Sequence, residues 1–202
     1  MPRHRPNLPH LAPGDAMRAL VACEYSGVVR RALRAVGVEA WSCDLLPAED
    51  GSVFHIKDDV MKWLYEPWDL MIAHPPCTRL TVAGARWFKG REQEQAEAIA
   101  FAEALWDAPI KRMAIENPIG VLSTRSRLGK PTQIIQPWQF GHGETKATCL
   151  WLKNLPPLQP TNVVDGREAR IHRMAPGPNR SRERSRTYQG IADAIAQQWV
   201  TA

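Results

Sequence analysis

The sequence lacks any long apolar run, and no stretch approaches the about 18 consecutive apolar residues that a membrane-spanning helix needs. The N-terminus is rich in Pro and Arg but has no apolar segment of the kind found in signal peptides. The four cysteines are widely spaced and form no CxxC pair, which argues against both a zinc site and a disulfide scaffold. We therefore expect a cytoplasmic protein without a membrane segment or a metal ion.

The length of 202 residues and the hydrophobic fraction of 44% allow one domain with a substantial core. Residues 1–16 show no periodicity and are predicted to form a flexible tail, which leaves 17–202 as the domain. The net charge of +5 favours a polyanionic partner such as nucleic acid.

Much of the positive charge falls in a basic segment, residues 156–186. Arginine rather than lysine dominates there, which favours phosphate contact over a merely solvated loop. The arginines are Arg167, Arg170, Arg173, Arg180, Arg182, Arg184 and Arg186. We expect Arg182, Arg184 and Arg186 to contact the substrate.

Short apolar runs alternate with helical periodicity along the chain. The first strand, helix and strand predict a doubly wound α/β fold with a mostly parallel sheet. Strands are predicted over residues 18–23, 38–43, 70–73, 112–115, 133–136 and 147–152, with a further strand end near 55–60. Helices are predicted over residues 28–35, 90–106 and 191–199.

The stretch from Asp69 to Thr78 is the one around which the chain is organised. A short buried strand, residues 70–73, stops at Pro75 and Pro76, because neither proline can donate a hydrogen bond to a sheet. Cys77 therefore follows the carboxyl end of a strand, where open α/β sheets bind ligands. It is a candidate nucleophile, although a buried structural cysteine would look the same in sequence.

Other strand ends also have side chains suited to binding or catalysis. Gly27 and Asp44 stand where such folds place a glycine near the cofactor and an acid for ribose hydroxyls, at close to the expected spacing of about 20 residues. A tight turn and an exposed acid would explain them equally well. Asp59 could bind an exocyclic amine or cap a following helix. Glu116 could protonate a ring nitrogen while a thiolate attacks the adjacent carbon.

In the order of its motifs, the chain resembles the C5-cytosine DNA methyltransferase family, and most of all its short bacteriophage and prophage members. Pro76-Cys77 is similar to the nucleophile motif, Glu116-Asn117-Pro118 to the Glu-Asn-Val motif, and Asp58-Asp59-Val60 to the Gly-Asp-Ile motif. The resemblance implies a Rossmann-like enzyme that transfers a methyl group from S-adenosylmethionine to C5 of cytosine in DNA.

The same resemblance implies roles for individual residues. Cys77 and Glu116 would be catalytic. The cofactor would be bound by Cys23, Glu24, Tyr25, Ser26, Gly27, Asp44, Leu45, Asp59, Val60, His74 and Pro75. The substrate would be bound by Pro76, Thr78, Asn117, Lys146 and Thr148, together with Arg182, Arg184 and Arg186.

The chain also departs from the family. Glu144-x-Lys146-x-Thr148 only loosely echoes the Gln-x-Arg-x-Arg strand, and residues 156–186 are too short for a separate recognition domain. A free deoxycytidine nucleotide is therefore an alternative substrate, and a catalytically silent nucleic-acid-binding protein is another alternative. Amino-methyltransferases have an aromatic residue after the two prolines, and the cysteine at that position favours C5 chemistry.

Overall fold

A computed structural model describes residues 16–82, 89–177 and 180–201. The predicted tail, apart from residue 16, lies outside the described residues. The structure contains a seven-stranded sheet. Its strands are β1 (Arg18–Ala22), β2 (Glu39–Asp44), β3 (His55–Lys57), β4 (Leu70–Ala73), β5 (Arg112–Pro118), β6 (Gln133–Ile135) and β7 (Thr148–Lys153).

The strands lie in the order β3-β2-β1-β4-β5-β7-β6. Strands β1 to β5 pair in parallel, and β7 runs antiparallel to both of its neighbours, β5 and β6. The α/β class with a mostly parallel sheet that the sequence predicts is therefore confirmed.

The helices are α1 (Val28–Ala35), α2 (Glu92–Trp106), α3 (Leu122–Arg125), α4 (Arg170–Arg173), α5 (Arg180–Ser185) and α6 (Gln189–Trp199). Helix α1 has the predicted bounds, and α6 begins earlier than predicted. Helix α2 begins later than predicted, because Gly90 has a φ of 76° and is not helical. Within these described ranges, no helix has the length and apolar character needed to cross a bilayer.

Apolar residues cover both faces of the sheet, as expected for strands that are buried on each side. On one face, Val21 and Ile72 pack with α1 and α6, where Trp199 is fully buried. On the other face, Leu20 and Met113 pack with α2. Gln198 of α6 is only partly buried and bonds to the backbone of residue 159.

Strand β5 is longer than the sequence predicts. The prediction ends it at residue 115, but the pairing with β7 continues through Glu116, Asn117 and Pro118. The antiparallel partner provides hydrogen-bond positions beyond the point where the apolar run stops. Glu116 and Asn117 therefore lie on a strand rather than in a loop.

The chain order reverses between β1 and β4. From β1 the chain proceeds to β2 and β3 on one side of the sheet, and from β4 it proceeds to β5 on the other. The loops after β1 and β4 therefore diverge and leave a crevice at the carboxyl edge of the sheet, where ligands bind in open α/β folds. The His74 N–H donates to the Ala22 carbonyl at 2.9 Å and holds the two strands together up to that crevice.

Candidate active site

The loop after β1 folds back onto α1 through Glu24. Its buried carboxylate accepts hydrogen bonds from the backbone N–H groups of Val29 at 2.7 Å and Arg30 at 3.3 Å. Cys23, at the start of this loop, has a φ of 59°, a strained value for a residue other than glycine. The N-terminus of α1 therefore already holds a carboxylate, and a ligand phosphate would be repelled there.

Gly27 packs closely against a buried side chain. A Cβ at this position would lie 2.4 Å from Nη2 of Arg30. Arg30 is 1% exposed, donates to Ser42 Oγ at 2.9 Å and forms an ion pair with Asp50. Gly27 is not among the residues that line the crevice. Close packing against Arg30 therefore accounts for the glycine, and the contact of Gly27 with the cofactor stays a prediction.

Asp50 is the acid that balances this buried guanidinium. Arg31 also binds it, with Nη1 at 2.7 Å from Asp50 Oδ2. Burial alone would raise the pKa of Asp50, but the hydrogen bonds from the two arginines outweigh it and lower the pKa to about 2. The ion pair therefore fixes α1, and with it the loop that borders the crevice.

The loop after β4 is anchored on both sides of Cys77. Before the cysteine, the Asn117 side-chain amide donates to the buried Pro75 carbonyl at 2.8 Å. After it, the Cys77 carbonyl accepts from the N–H groups of Leu80 at 2.9 Å and Thr81 at 3.0 Å. These contacts fix the partly exposed thiol at the mouth of the crevice, and a rigid position is what a nucleophile requires.

Charged groups surround the Cys77 thiol. Burial raises its pKa and Glu116 adds to the rise, whereas Lys146 and Arg184 oppose it. Lys146 donates from Nζ to the Arg186 carbonyl at 3.0 Å. Burial lowers the pKa of Lys146, although the negative groups Glu116 and Cys77 favour its charged form. Cys77 is therefore a thiol at rest, with two cationic groups positioned to stabilise a thiolate.

Glu116 forms a hydrogen bond with His74, at 3.0 Å between Oε2 and Nδ1. Burial would raise the pKa of Glu116, but His74 and Lys146 outweigh it and lower the pKa. Burial would lower the pKa of His74, but Glu116 outweighs it and raises the pKa. The sequence predicts that His74 binds the cofactor, but its ring already contacts Glu116, the candidate catalytic acid on the neighbouring strand. The two contacts would therefore compete for the same ring.

These groups meet in one crevice that is open to solvent and has a cavity volume of about 110 Å³. Of the residues predicted from the sequence, the crevice is lined by Cys23, Glu24, Tyr25, Ser26, His74, Pro75, Pro76, Cys77, Glu116, Asn117, Lys146, Arg184 and Arg186. The structure therefore brings together both catalytic candidates and most of the predicted binding residues.

The end of β2 adjoins this crevice, because the Cys43 carbonyl accepts from the N–H groups of Cys23 at 2.8 Å and Glu24 at 3.3 Å. Burial raises the pKa of the Cys23 thiol, and the negative charges of Asp44 and Asp59 add to the rise. Asp44 accepts from the N–H of residue 46 at 2.9 Å, and Leu45 is 71% exposed beside it. One carboxylate oxygen of Asp59 caps the turn at Val60–Lys62, which is the role that the helix-cap alternative gives to this residue. The Val60 side chain is buried in the core, which leaves only its backbone available to a ligand.

Comparison by sequence finds no matching family model and no matching curated protein. Among solved structures, a protein described as a DNA modification methyltransferase of an E. coli prophage aligns with a TM-score of 0.51 and 12% identity, over 74% of this chain and 52% of that one. An Entamoeba histolytica methyltransferase, EhMeth, aligns with a TM-score of 0.49 and 14% identity, over 77% and 57% of the two chains. The S. pombe Dnmt2 methyltransferase aligns with a TM-score of 0.48 and 15% identity, over 78% and 54%.

The chain thus spans little more than half the length of each of these structures. At such low identity the comparison shows a shared fold only. The seven-stranded, mostly parallel sheet is accordingly the Rossmann-like architecture of the prophage protein. Within the described part of the chain, no group of three His, Cys, Asp or Glu residues is arranged to hold a metal ion.

Several arginines of the basic segment have partners within the protein. Arg182 and Arg186 both bind the Glu49 carboxylate, whose backbone N–H donates to the Tyr25 carbonyl at 2.9 Å. Arg184, in contrast, lines the crevice near Cys77. The end of the basic segment, from Arg182 to Arg186, therefore lies beside the crevice and is held to the loop after β2 by Glu49, so that only part of its charge is available for phosphate.

Other members of the segment are held in the same way. Arg167 stacks on Trp138 at 3.8 Å, and Arg170 binds Glu144 at 3.0 Å.

Two threonines were also predicted to bind the substrate. Thr148 is buried, and its hydroxyl donates to the Lys146 carbonyl at 3.1 Å, so its contact with a substrate stays a prediction. Thr78 is exposed and does not line the crevice.

Sequence reasoning missed two contacts, and only one of them left a signal. Ala73 pairs with Ile115 in the parallel register, so the next pair along the two strands is His74 and Glu116. Aligning the apolar runs of β4 and β5 in parallel would have predicted the contact between His74 and Glu116. The anchoring role of Glu49 has no local signal, because its arginine partners lie more than 130 residues away along the chain.

Proposed function

We propose that this protein transfers a methyl group from S-adenosylmethionine to C5 of cytosine in DNA. The observation that supports this proposal best is that Cys77 and Glu116 meet in one crevice at the point where the strand order reverses. A thiol and a carboxyl group from adjacent strands form the pair that attack on C6 of a pyrimidine requires. The Asn117–Pro75 hydrogen bond links these two strands at that point.

The crevice suits S-adenosylmethionine better than a nucleotide cofactor. Glu24 already occupies the N-terminus of α1, so a phosphate has no favourable place there. The carboxylates of Glu24, Asp44 and Asp59 favour a cation, and S-adenosylmethionine carries a positive sulfonium and no phosphate. When bound, this cofactor would supply the electrophilic methyl group. Asp44 would hold the ribose hydroxyls, and the second oxygen of Asp59 would accept from the adenine amine.

The residues of the chain would activate the base. Cys77, as a thiolate, adds to C6 of cytosine while Glu116 stabilises a proton at N3, and C5 becomes nucleophilic. Lys146 and Arg184 stabilise the thiolate before it adds. In duplex DNA, the target base must leave the stack to reach Cys77. After methylation, loss of the C5 proton releases the cysteine.

The test is methyl transfer from tritium-labelled cofactor to DNA and to free deoxycytidine nucleotides, assayed side by side. DNA containing 5-fluorocytosine should trap a covalent adduct, because its C5 substituent cannot leave as a proton. Cys77→Ser should abolish the adduct, whereas Cys149→Ser, at a buried position in β7, should retain it. An adduct with Cys77→Ser would exclude this nucleophile, and methylation of an exocyclic amine would indicate an amino-methyltransferase.

A free deoxycytidine nucleotide is the second candidate substrate. It is favoured by the ion pairs that Arg182 and Arg186 form with Glu49, because these cations are then less available to a DNA backbone. Each phosphate contact to duplex DNA contributes about 0.9 to the slope of log affinity against log salt. A shallow slope together with efficient turnover of the nucleotide would favour this candidate over DNA.

A further inference from the structure

The crevice contains a largely buried pair, His74 and Glu116. The imidazole lies on the residue directly after β4, and the carboxylate lies in β5, so both are fixed by the sheet. The side chains are 11% and 20% exposed. Among the described residues, His74 Nε2 is buried without a partner. The ring's hydrogen bond to Glu116 therefore requires the proton on Nδ1, because a carboxylate can only accept.

Charged groups on several elements act on this pair. His74 is influenced by Glu116 and by Glu24 of the loop after β1, both of which favour its protonated form, and by Lys146, which opposes it. Glu116 is influenced by His74 and Lys146, both of which favour the carboxylate. These groups favour a proton on the imidazole and a negative charge on the carboxyl group. A proton that Glu116 donates as an acid must then come from a neighbouring group.

We propose that His74 is a positioning residue that stores the proton which Glu116 delivers to the ring nitrogen of the substrate. This inference rests on the proposed function, because it assigns a proton source to the same addition step. Glu116 touches the base and is the catalytic residue. His74 acts through it, from the opposite side of the carboxyl group.

The addition step then balances as follows. The Cys77 thiolate forms a bond to C6 of cytosine, and the electron pair of the C5=C6 bond moves to form C4=C5. The former N3=C4 pair moves to N3, which takes a proton from Glu116 after the carboxylate has received that proton from His74 Nδ1. Glu116 ends as a carboxylate again, and the imidazolium becomes a neutral imidazole. The negative charge of the thiolate and the positive charge of the imidazolium disappear, and C5 becomes a nucleophilic enamine carbon.

This arrangement predicts a specific pH dependence. In the active form, the Cys77 thiol is deprotonated and the His74–Glu116 pair is protonated. Because the thiol has the higher pKa of the two groups, this form is a minor one, and the fall in rate at low pH reports the pKa of the pair. The pKa of His74 lies above its ordinary value of 6.5. In His74→Asn, whose amide can still donate to Glu116, the proton must be held by the carboxyl group alone. The acid limb should move toward the carboxyl range, and each unit of this shift lowers the plateau rate tenfold.

The experiment measures single-turnover methyl transfer from pH 5 to 9, with DNA bound at saturation, for the wild type and His74→Asn. The expected result is a plateau rate that is lower by on the order of 10- to 100-fold, with the acid limb shifted to lower pH. His55→Asn is the matched control, because His55 forms hydrogen bonds with Ser42 and the residue 46 carbonyl outside the crevice. Its acid limb should coincide with that of the wild type.

A second measurement needs no activity. Nitrogen-15 NMR follows the titration of the His74 ring in the wild type and in Glu116→Gln, and the midpoint should fall in the variant. Two results would overturn the proposed role of His74. One is a titration midpoint of the ring that is the same in Glu116→Gln and the wild type. The other is a pH–rate profile of His74→Asn that is lower at every pH but has an unshifted acid limb. A wild type that methylates neither DNA nor nucleotide overturns the proposed function and this role with it. An active wild type with an unshifted variant overturns only the role of His74.

Discussion

Replacing Asn117 with alanine should weaken both the stability and the activity of the protein. Asn117 is 1% exposed, and its amide gives the buried Pro75 carbonyl a hydrogen bond of 2.8 Å. Its Oδ1 has no partner among the described residues, so the substitution removes one hydrogen bond rather than several. An unpaired buried carbonyl costs about 1–3 kcal/mol in the free energy of unfolding. For a domain of this size, that corresponds to a fall in Tm of roughly 2–12 °C.

The same loss should affect catalysis more than stability. The Asn117 amide is the contact that holds the loop immediately before Cys77, and a misplacement of about 1 Å can cost about 100-fold in rate. Calorimetry gives the Tm, and methyl transfer below the melting range of the variant gives the rate. Far-ultraviolet circular dichroism confirms that the variant is folded at the assay temperature.

The matched control is Asn154→Gly. Asn154 donates the same kind of bond, at 2.8 Å to the Lys111 carbonyl, but it is exposed and outside the crevice. Glycine retains its backbone conformation, because Asn154 has a φ of 52°. The control should change stability by less than about 0.5 kcal/mol and leave the rate unchanged. If Asn117→Ala matched the wild type in both measurements, the reasoning that the amide anchors the nucleophile loop would be refuted.

Four further predictions concern the crevice and its supports. Cys77→Ser should abolish methyl transfer but retain cofactor binding by calorimetry, and a wild-type rate would exclude the nucleophile. Asp44→Ala should weaken cofactor binding by about 1–3 kcal/mol, and an unchanged affinity would show that Asp44 only stabilises the turn after β2. Asp50→Asn should destabilise the protein at pH 7. The wild-type carboxyl has a pKa of about 2 instead of 3.8, so its contribution is present above about pH 4 and lost toward pH 2. Urea unfolding should show the two proteins converging over that range, and a constant difference would contradict the ion-pair argument. Arg184→Ala should raise the pKa of Cys77 and slow its alkylation at pH 8, whereas Arg182→Ala, which loses only a bond to Glu49, should not.

The fold could be predicted from the sequence because it depends on periodicity. Apolar runs of strand length alternate with helical patterns along the chain. Packing into the core does not change these local elements, so α1 and β4 have the predicted bounds. Element ends depend on partners that local sequence does not show. The extension of β5 to Pro118 results from pairing with β7, which is distant in the chain.

The candidate site could be predicted in part for the same reason. Residues that follow strands, such as Cys77, were found because the carboxyl ends of parallel strands share an edge. The destination of long charged side chains could not be predicted. Composition indicates that arginines are available for phosphate, but only the fold shows that Arg182 and Arg186 converge on Glu49. Likewise, the need for glycine at residue 27 comes from Arg30, a side chain that sequence rules place on the solvent face of a helix.

Strand register explains why the two halves of the proposed chemistry meet at all. β4 and β5 pair in parallel from Leu70 to Ala73, and the same offset brings His74 beside Glu116 and Pro75 beside Asn117. Successive side chains of a strand point to opposite faces, so a slip of one residue would turn Glu116 away from the crevice. Pairing of β5 with β7 on its other edge resists such a slip, because Glu116 lies opposite Leu150 in that register. A carboxyl group held inside a strand is also less mobile than one in a loop. The sheet itself therefore positions the acid, its imidazole partner and the loop of the nucleophile.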